Sequence, residues 1–307
     1  MFSCGDPAGI GPRAVVLALR APGLRAACRP LLLGHRAVWR RAGWTSDLAE
    51  LAEPGGRAVA PPWGKPSARG GRLSFSALEL ALRLLGRGMA DGLVTAPISK
   101  KSWALAGVPD RDHTGWLSRE TGRDVQMILG APRRRLWTVL ATRHVPLSRV
   151  SALLTTPLVS GAALSLRRAL AELGFARPRL GLCAFNPHAG EDGLLGVEES
   201  RVLLSAVRRA KAAGTRLEGP IAADTAWRWH REGRLDGLVS LYHDQALIPL
   251  KIAAGLAIVN WTEGLPFPRT SPGHGTGFDL AGRGEPDAAA TLEAALLAAR
   301  LARRARR

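Results

Sequence analysis

Short apolar runs alternate with stretches of helical periodicity along this chain, and that alternation limits the fold more than any other feature. The runs lie at 30–33, 91–97, 125–129, 136–141, 180–184, 236–241 and 257–260. Helical periodicity or composition marks 14–19, 76–85, 98–105, 156–172, 198–213 and 288–307, with Pro12 and Pro157 suited to first turns. Strands separated by helices pair mostly in parallel through crossovers, so the pattern calls for an α/β fold. Only four residues precede the Gly/Pro-rich loop G-D-P-A-G-I-G-P at 5–12, too few for a full strand. Residues 50–72 are rich in Pro and Gly and read as an irregular excursion. No internal repeat and no clean linker interrupts the 307 residues. The expectation is a single unit, 1–307, of two interleaved α/β subdomains sharing a central sheet.

Composition excludes several classes. No run of eighteen apolar residues exists, so no membrane span is expected. The start M-F-S-C-G-D lacks a charged segment followed by an apolar core, so no secretory signal is read. Cys4, Cys28 and Cys183 are scattered, which suits a reducing cytoplasm and argues against a cysteine zinc site. The formal net charge of +18 raises nucleic acid as a partner. Arginine supplies 38 of the 43 cations, dispersed except at 133–135 and in the tail 303–307, and aromatic residues are 5%. Dispersed charge with little stacking surface argues against a specific nucleic-acid interface, while a positive field still steers an anionic substrate.

The chemistry concentrates between 240 and 280. The chain there reads S-L-Y-H-D-Q-A-L-I-P-L-K, then V-N-W-T-E-G-L-P-F-P-R-T-S, then P-G-H-G-T-G-F-D-L. It offers His243, Asp244, Lys251, Asn260 and Arg269, with the last three spaced nine and nine. Lys251 follows an apolar run and Arg269 sits between Pro268 and Thr270, so each cation is expected to be held in place to bind an anion. Three histidines follow apparent strands: His144 in R-H-V-P-L, His188 in N-P-H-A-G-E and His243 in Y-H-D-Q. Ligands gather beyond the carboxyl ends of strands in open α/β sheets, and three neutral imidazoles suit a divalent ion with open positions. Asp244, beside His243, is placed to orient an imidazole or relay a proton. His113 and Thr114, in D-R-D-H-T-G-W, open a helix whose N-terminus suits phosphate or carboxylate. The Gly-rich turn H-G-T-G-F-D at 274–279 lets backbone approach a nucleotide.

These motifs recur in one order: G-D-P-A-G-I-G-P, D-G-L-V-T-A-P-I-S-K, H-T-G-W-L, H-V-P-L, F-N-P-H-A-G-E-D-G-L-L-G-V-E-E, G-P-I-A-A-D-T, Y-H-D-Q-A-L-I-P-L-K and V-N-W-T-E-G-L-P-F-P-R-T-S-P-G-H-G-T-G-F-D-L-A-G. In them the chain resembles the 4-hydroxythreonine-4-phosphate dehydrogenase family of pyridoxal phosphate biosynthesis, from Gly5 to about Asp287. The resemblance implies an isocitrate/isopropylmalate-dehydrogenase-like α/β fold, with mixed sheets flanked by helices and two intimate subdomains with a cleft. It implies a cytoplasmic homodimer whose active site lies at the subunit interface. A divalent metal (Zn, Mg, Mn or Co) is held there by histidines from both subunits, at positions matching His144, His188 and His243. Substrate positions match His113, Thr114, Lys251, Asn260 and Arg269, with Asp244 and Lys251 as catalytic candidates. NAD or NADP is implied at His274, Gly275, Thr276 and Asp279.

The implied reaction is oxidation of 4-phosphohydroxy-L-threonine and decarboxylation of the β-keto acid. The alternatives are 4-phospho-threonate or phospho-erythronate as substrate, or a paralogue that keeps the fold as a binding protein. Four positions depart from the family pattern. Arg13 replaces a Glu, Asp112 and Gly115 stand where G-H-T-E is usual, and Arg143 replaces a small polar residue.

Overall fold

The computed structural model describes residues 1–305, so the last two residues of the basic tail 303–307 lie outside the described residues. Its strands are β1 (Phe2–Ser3), β2 (Leu31–Leu33), β3 (Glu50–Ala52), β4 (Leu93–Thr95), β5 (Gln126–Ala131), β6 (Leu136–Leu140), β7 (Arg179–Cys183), β8 (Arg216–Ile221), β9 (Gly237–Ser240), β10 (Val259–Glu263) and β11 (Arg269–Pro272). The chain divides into two compact units, 1–125 with 256–307, and 126–255.

The first unit carries strand order β3-β2-β1-β4-β11-β10, parallel except where β10 runs against β11. The four residues ahead of the first loop do make a strand, contrary to expectation. Phe2 and Ser3 pair in parallel with Leu32 and Leu33 on one side and with Val94 and Thr95 on the other. Two residues suffice because both neighbours supply backbone partners and Phe2 is only 2% exposed. The excursion expected over 50–72 is shorter than that. Glu50–Ala52 joins the sheet edge, and a helix starts at Ala68, where the Ser67 hydroxyl accepts from the Gly70 amide at 3.0 Å. The helix Ala289–Ala305 covers β10 and β11, and the Thr270 hydroxyl donates to its Ala294 carbonyl at 2.8 Å.

The second unit has order β5-β6-β9-β7-β8, with β5 antiparallel to β6 and the rest parallel. The helix Thr156–Glu172 packs on β6 and β9. Thr155 caps it, Pro157 lies in its first turn, and Val159, Ala163, Leu166 and Leu170 face inward. His230 is a core residue: its Nε2 accepts from the Trp137 amide at 2.8 Å, and Nδ1 lies 2.9 Å from the Leu235 carbonyl. The expected α/β class therefore holds, with mixed sheets flanked by helices. All three cysteines are free. No single helix among the described residues is long and apolar enough to cross a membrane.

Candidate functional site

Three neighbouring parallel strands of the second unit, β6, β9 and β7, end on the same side of their sheet, and each is followed by one of the expected histidines. His144 lies four residues past β6, His243 three past β9 and His188 five past β7. The β6–β9 pairing continues beyond the strands. Ala141 and Thr142 donate their amides to Ser240 and Leu241, and the Thr142 hydroxyl adds a 2.7 Å bond to Leu241. That ladder brings the His144 and His243 rings to 5.7 Å between centroids. Metal–nitrogen bonds of about 2.1 Å would separate two imidazole centres sharing one ion by roughly 5 Å, so the pair fits a single ion. His243 Nδ1 lies 2.7 Å from Asp244 Oδ1, an arrangement that leaves Nε2 for a ligand. Among the described residues no third His, Cys, Asp or Glu completes a metal-holding group in this one chain. His188 is exposed on the neighbouring loop.

Buried polar side chains that sequence reasoning gave no role fix these loops. Gln245 accepts from the Leu241 amide at 2.7 Å and donates to the Ala184 carbonyl at 2.8 Å, tying the ends of β9 and β7 together. The Glu199 carboxylate accepts from the amides of Phe185 and Asn186, each at 2.8 Å. Both residues lie inside the motifs Y-H-D-Q and G-V-E-E; Gln245 could have been found as a polar side chain ahead of the apolar A-L-I-P-L run, whereas Glu199, among Glu198, Ser200 and Arg201, carries no such signal. His144 and His188 have φ of 49° and 50°, the left-handed region that non-glycine residues seldom enter.

In the first unit, Arg269 is 2% exposed and opens β11, rather than lying in the turn expected for it. Its Nη1 donates to Thr262 Oγ1 at 2.8 Å and its Nη2 to Thr95 Oγ1 at 2.6 Å, while Nε has no partner. Among the described residues no carboxylate forms an ion pair with it. Burial pushes its pKa down to about 10, with Asp112 acting the other way, so it stays charged at neutral pH. His113 is buried edge-on to Trp103, and burial together with the Arg269 charge holds its pKa well below the usual histidine range. The helix His113–Thr121 begins at His113 and Thr114, capped by Asp112, which accepts from Gly115 at 2.9 Å. On β10, Asn260 has a buried Oδ1 with no partner. A buried cation with no ion-paired carboxylate among the described residues, a neutral imidazole and an unpaired amide oxygen make a site suited to a polar anionic ligand.

Lys251 differs from its expectation. It is exposed in the last turn of the helix His243–Ala254, so its apolar flanks do not hold it within the chain. At the 274–279 turn, Ile10 donates its amide to the Thr276 carbonyl at 2.9 Å, and a Cβ on Gly9 would stand 2.5 Å from that oxygen. The first Gly-rich loop therefore packs on Thr276 and Gly277, while His274 Nε2 is buried with no partner among the described residues and Asp279 is exposed. One buried, unpaired imidazole nitrogen and closely approaching backbones are compatible with a nucleotide's polar groups. Arg13 forms an ion pair with Glu285 and donates to the Ala42 carbonyl at 3.1 Å.

Comparison with known proteins follows the same lines. A 4-hydroxythreonine-4-phosphate dehydrogenase from Synechococcus sp. (strain JA-3-3Ab) is 38% identical over 98% of this chain and 93% of its own length. A D-threonate 4-phosphate dehydrogenase from Cupriavidus necator is 36% identical over 99% and 97%. The crystal structure of a 4-hydroxythreonine-4-phosphate dehydrogenase from Klebsiella pneumoniae superposes with a TM-score of 0.86 at 31% identity, covering 98% of this chain and 97% of that one. The model of the pyridoxal phosphate biosynthetic protein PdxA matches residues 26–298, and the chain belongs to that family.

Proposed function

We propose that this protein is a metal- and NAD(P)-dependent dehydrogenase that oxidises 4-phosphohydroxy-L-threonine in pyridoxal 5'-phosphate biosynthesis. The observation that carries the reading is Arg269, buried beside a neutral His113 with no carboxylate ion-paired to it among the described residues. Such a charge is costly unless a ligand anion completes it. The secondary alcohol of the substrate gives a hydride to the nicotinamide and a proton to solvent through the site. The resulting 2-amino-3-oxo acid loses carbon dioxide, and the enolate left behind takes a proton from solvent on the carbon that bore the carboxylate to give 3-amino-2-oxopropyl phosphate. A divalent ion, if held in the site, would supply Lewis acidity to the alcohol and ketone oxygens. His144 and His243 of one chain would hold it, with His188 reaching the site from a second copy.

Within the chain, Asp244 orients the His243 ring, and Arg269, His113, Thr114 and Asn260 take the anionic groups. The 274–279 turn takes the dinucleotide. Homodimerisation is supported by apolar side chains that the second unit leaves in solvent: Leu147, Leu194 and Ile252 are 66%, 84% and 82% exposed. The Cupriavidus relative favours a second reading, in which 4-phospho-threonate is the substrate. The test is NADH or NADPH formation from each phosphorylated substrate with Mg²⁺, Mn²⁺, Co²⁺ or Zn²⁺. Turnover of the threonine compound supports the first reading, turnover of the threonate alone selects the second, and no turnover with any combination overturns both.

A further inference from the structure

The segment Pro187–Gly193 is a left-handed turn. His188, Ala189, Gly190, Glu191 and Asp192 have φ of 50°, 56°, 83°, 43° and 55° in succession, and only one of them is glycine. Each L-residue there is strained relative to right-handed backbone, because its Cβ crowds the following carbonyl oxygen. A turn of this kind persists only where its surroundings fix it. Within the turn, two amide bonds, Leu194 to Glu191 and Leu195 to Gly190, close its end. Its start is fixed chiefly by the Glu199 carboxylate, which takes three of the four hydrogen bonds there, with Glu198 taking the fourth.

Glu199, 6% exposed, takes the amides of Phe185 and Asn186 on Oε1 and the Asn186 Nδ2 on Oε2, each at 2.8 Å. The other Asn186 amide hydrogen reaches Glu198 Oε2 at 2.8 Å. Gly190, inside the turn, packs so closely on the same carboxylate that a Cβ would stand 2.9 Å from Glu199 Oε2. One buried carboxylate thus binds the backbone before His188 and lies directly against the backbone after it. It sits in a π-helical turn, Glu199–Leu203, a distortion common near functional groups.

We infer that Glu199 is the positioning residue of the His188 turn: it sets the direction of the imidazole without touching the ligand that His188 serves. The inference rests on the metal reading given above. An outer group that orients a metal ligand typically carries 10- to 100-fold of metal affinity.

The test is Co²⁺ binding to the full-length, metal-stripped protein, followed by the visible absorption of the bound ion, in wild type, His188→Ala, Glu199→Ala and Glu199→Gln. Hydrogen exchange across 185–196 is read in parallel. His188→Ala should lose at least 100-fold in Co²⁺ affinity. Glu199→Ala should lose about 10- to 100-fold, with faster exchange at Phe185 and Asn186 and with protection of the core strands retained. Glu199→Gln keeps an oxygen for the two backbone amides but turns an NH₂ towards Asn186, so its loss should be intermediate. It also carries the comparison should the alanine variant fail to fold. Wild-type affinity in a folded Glu199 variant, with His188→Ala impaired, overturns the inference and leaves the metal reading standing. Unchanged affinity in His188→Ala overturns the metal assignment and the role of Glu199 with it.

Discussion

Gly71 lies so close to Ser102 that a Cβ on it would stand 2.1 Å from the Ser102 carbonyl oxygen. The helices Ala68–Gly86 and Lys100–Leu105 meet at this point, and the same region buries Trp103, whose indole donates to Ser74 at 2.9 Å. Gly71→Ala is expected to cost roughly 1–3 kcal/mol, because the obstacle is backbone and the helices must part. Gly86 ends the same helix with nothing within 4 Å of a built Cβ. Gly86→Ala should be neutral or stabilising by up to about 1 kcal/mol. Thermal unfolding of the pair checks this, and equal melting temperatures would contradict it.

Arg269→Met should separate binding from stability. Replacing a buried unpaired cation by an apolar chain of similar length is often neutral or stabilising, so the melting temperature should hold or rise. Inorganic phosphate should stabilise the wild type and fail to stabilise the variant. Loss of a desolvated charge contact costs about 2–5 kcal/mol, so kcat/KM should fall at least about 30-fold. Lys251→Met is expected to lower kcat/KM only if a second copy covers this exposed lysine. Wild-type kcat/KM in Arg269→Met would reassign the anion site.

Acid should weaken the fold through His230. Burial holds its pKa below the usual value of 6.5, and its Nε2 needs to remain an acceptor for Trp137. Below pH 6.5 the unfolded chain binds a proton that the native state does not. The contribution is therefore complete above pH 6.5 and is lost as pH falls towards the folded pKa. His113 adds a term of the same sign. Denaturant unfolding from pH 7.5 to 5 should show stability falling. In His230→Gln the slope should be shallower by up to one proton, about 1.4 kcal/mol per pH unit. Identical slopes would place the titration elsewhere.

Charge on the exposed apolar face of the second unit should block self-association. Ile252 is 82% and Ile248 56% exposed on the helix His243–Ala254. Ile252→Glu is expected to leave secondary structure intact, shift the sedimentation profile towards monomer and lower Co²⁺ affinity along with it. A monomeric wild type, or a variant that keeps the wild-type profile, would contradict this.

The helix Thr156–Glu172 was legible to the residue because Thr155 caps it and Pro157 fits its first turn. The strand Arg216–Ile221 was not. Its sequence R-L-E-G-P-I carries two charges, a glycine and a proline, which only an edge strand tolerates, and β8 is the edge of its unit's order. The candidate metal ligands could be named from local motifs. That β6, β9 and β7 are neighbours, so that the three loops leave one side together, is a pairing fact no spacing encodes. Arg269 was named from its flanks, but its burial comes from Thr95, 174 positions away, and Thr262. Glu199 went unassigned because its partners are two backbone amides and the Asn186 side chain thirteen positions earlier, which leave no mark in composition or local spacing.

The division of the chain sets an order of assembly. Residues 126–255 form their unit from one continuous stretch, whereas the other needs 1–125 and 256–307 together. During synthesis the unit bearing His144, His188 and His243 can close once its own segment has emerged, because domains generally fold as units. The other must wait for β10 and β11 to complete β3-β2-β1-β4. Nascent chains stalled at the point where residue 255 has just emerged from the ribosome should therefore protect the 126–255 stretch from protease while Phe2–Ser3 and its neighbouring strands are still open to cleavage.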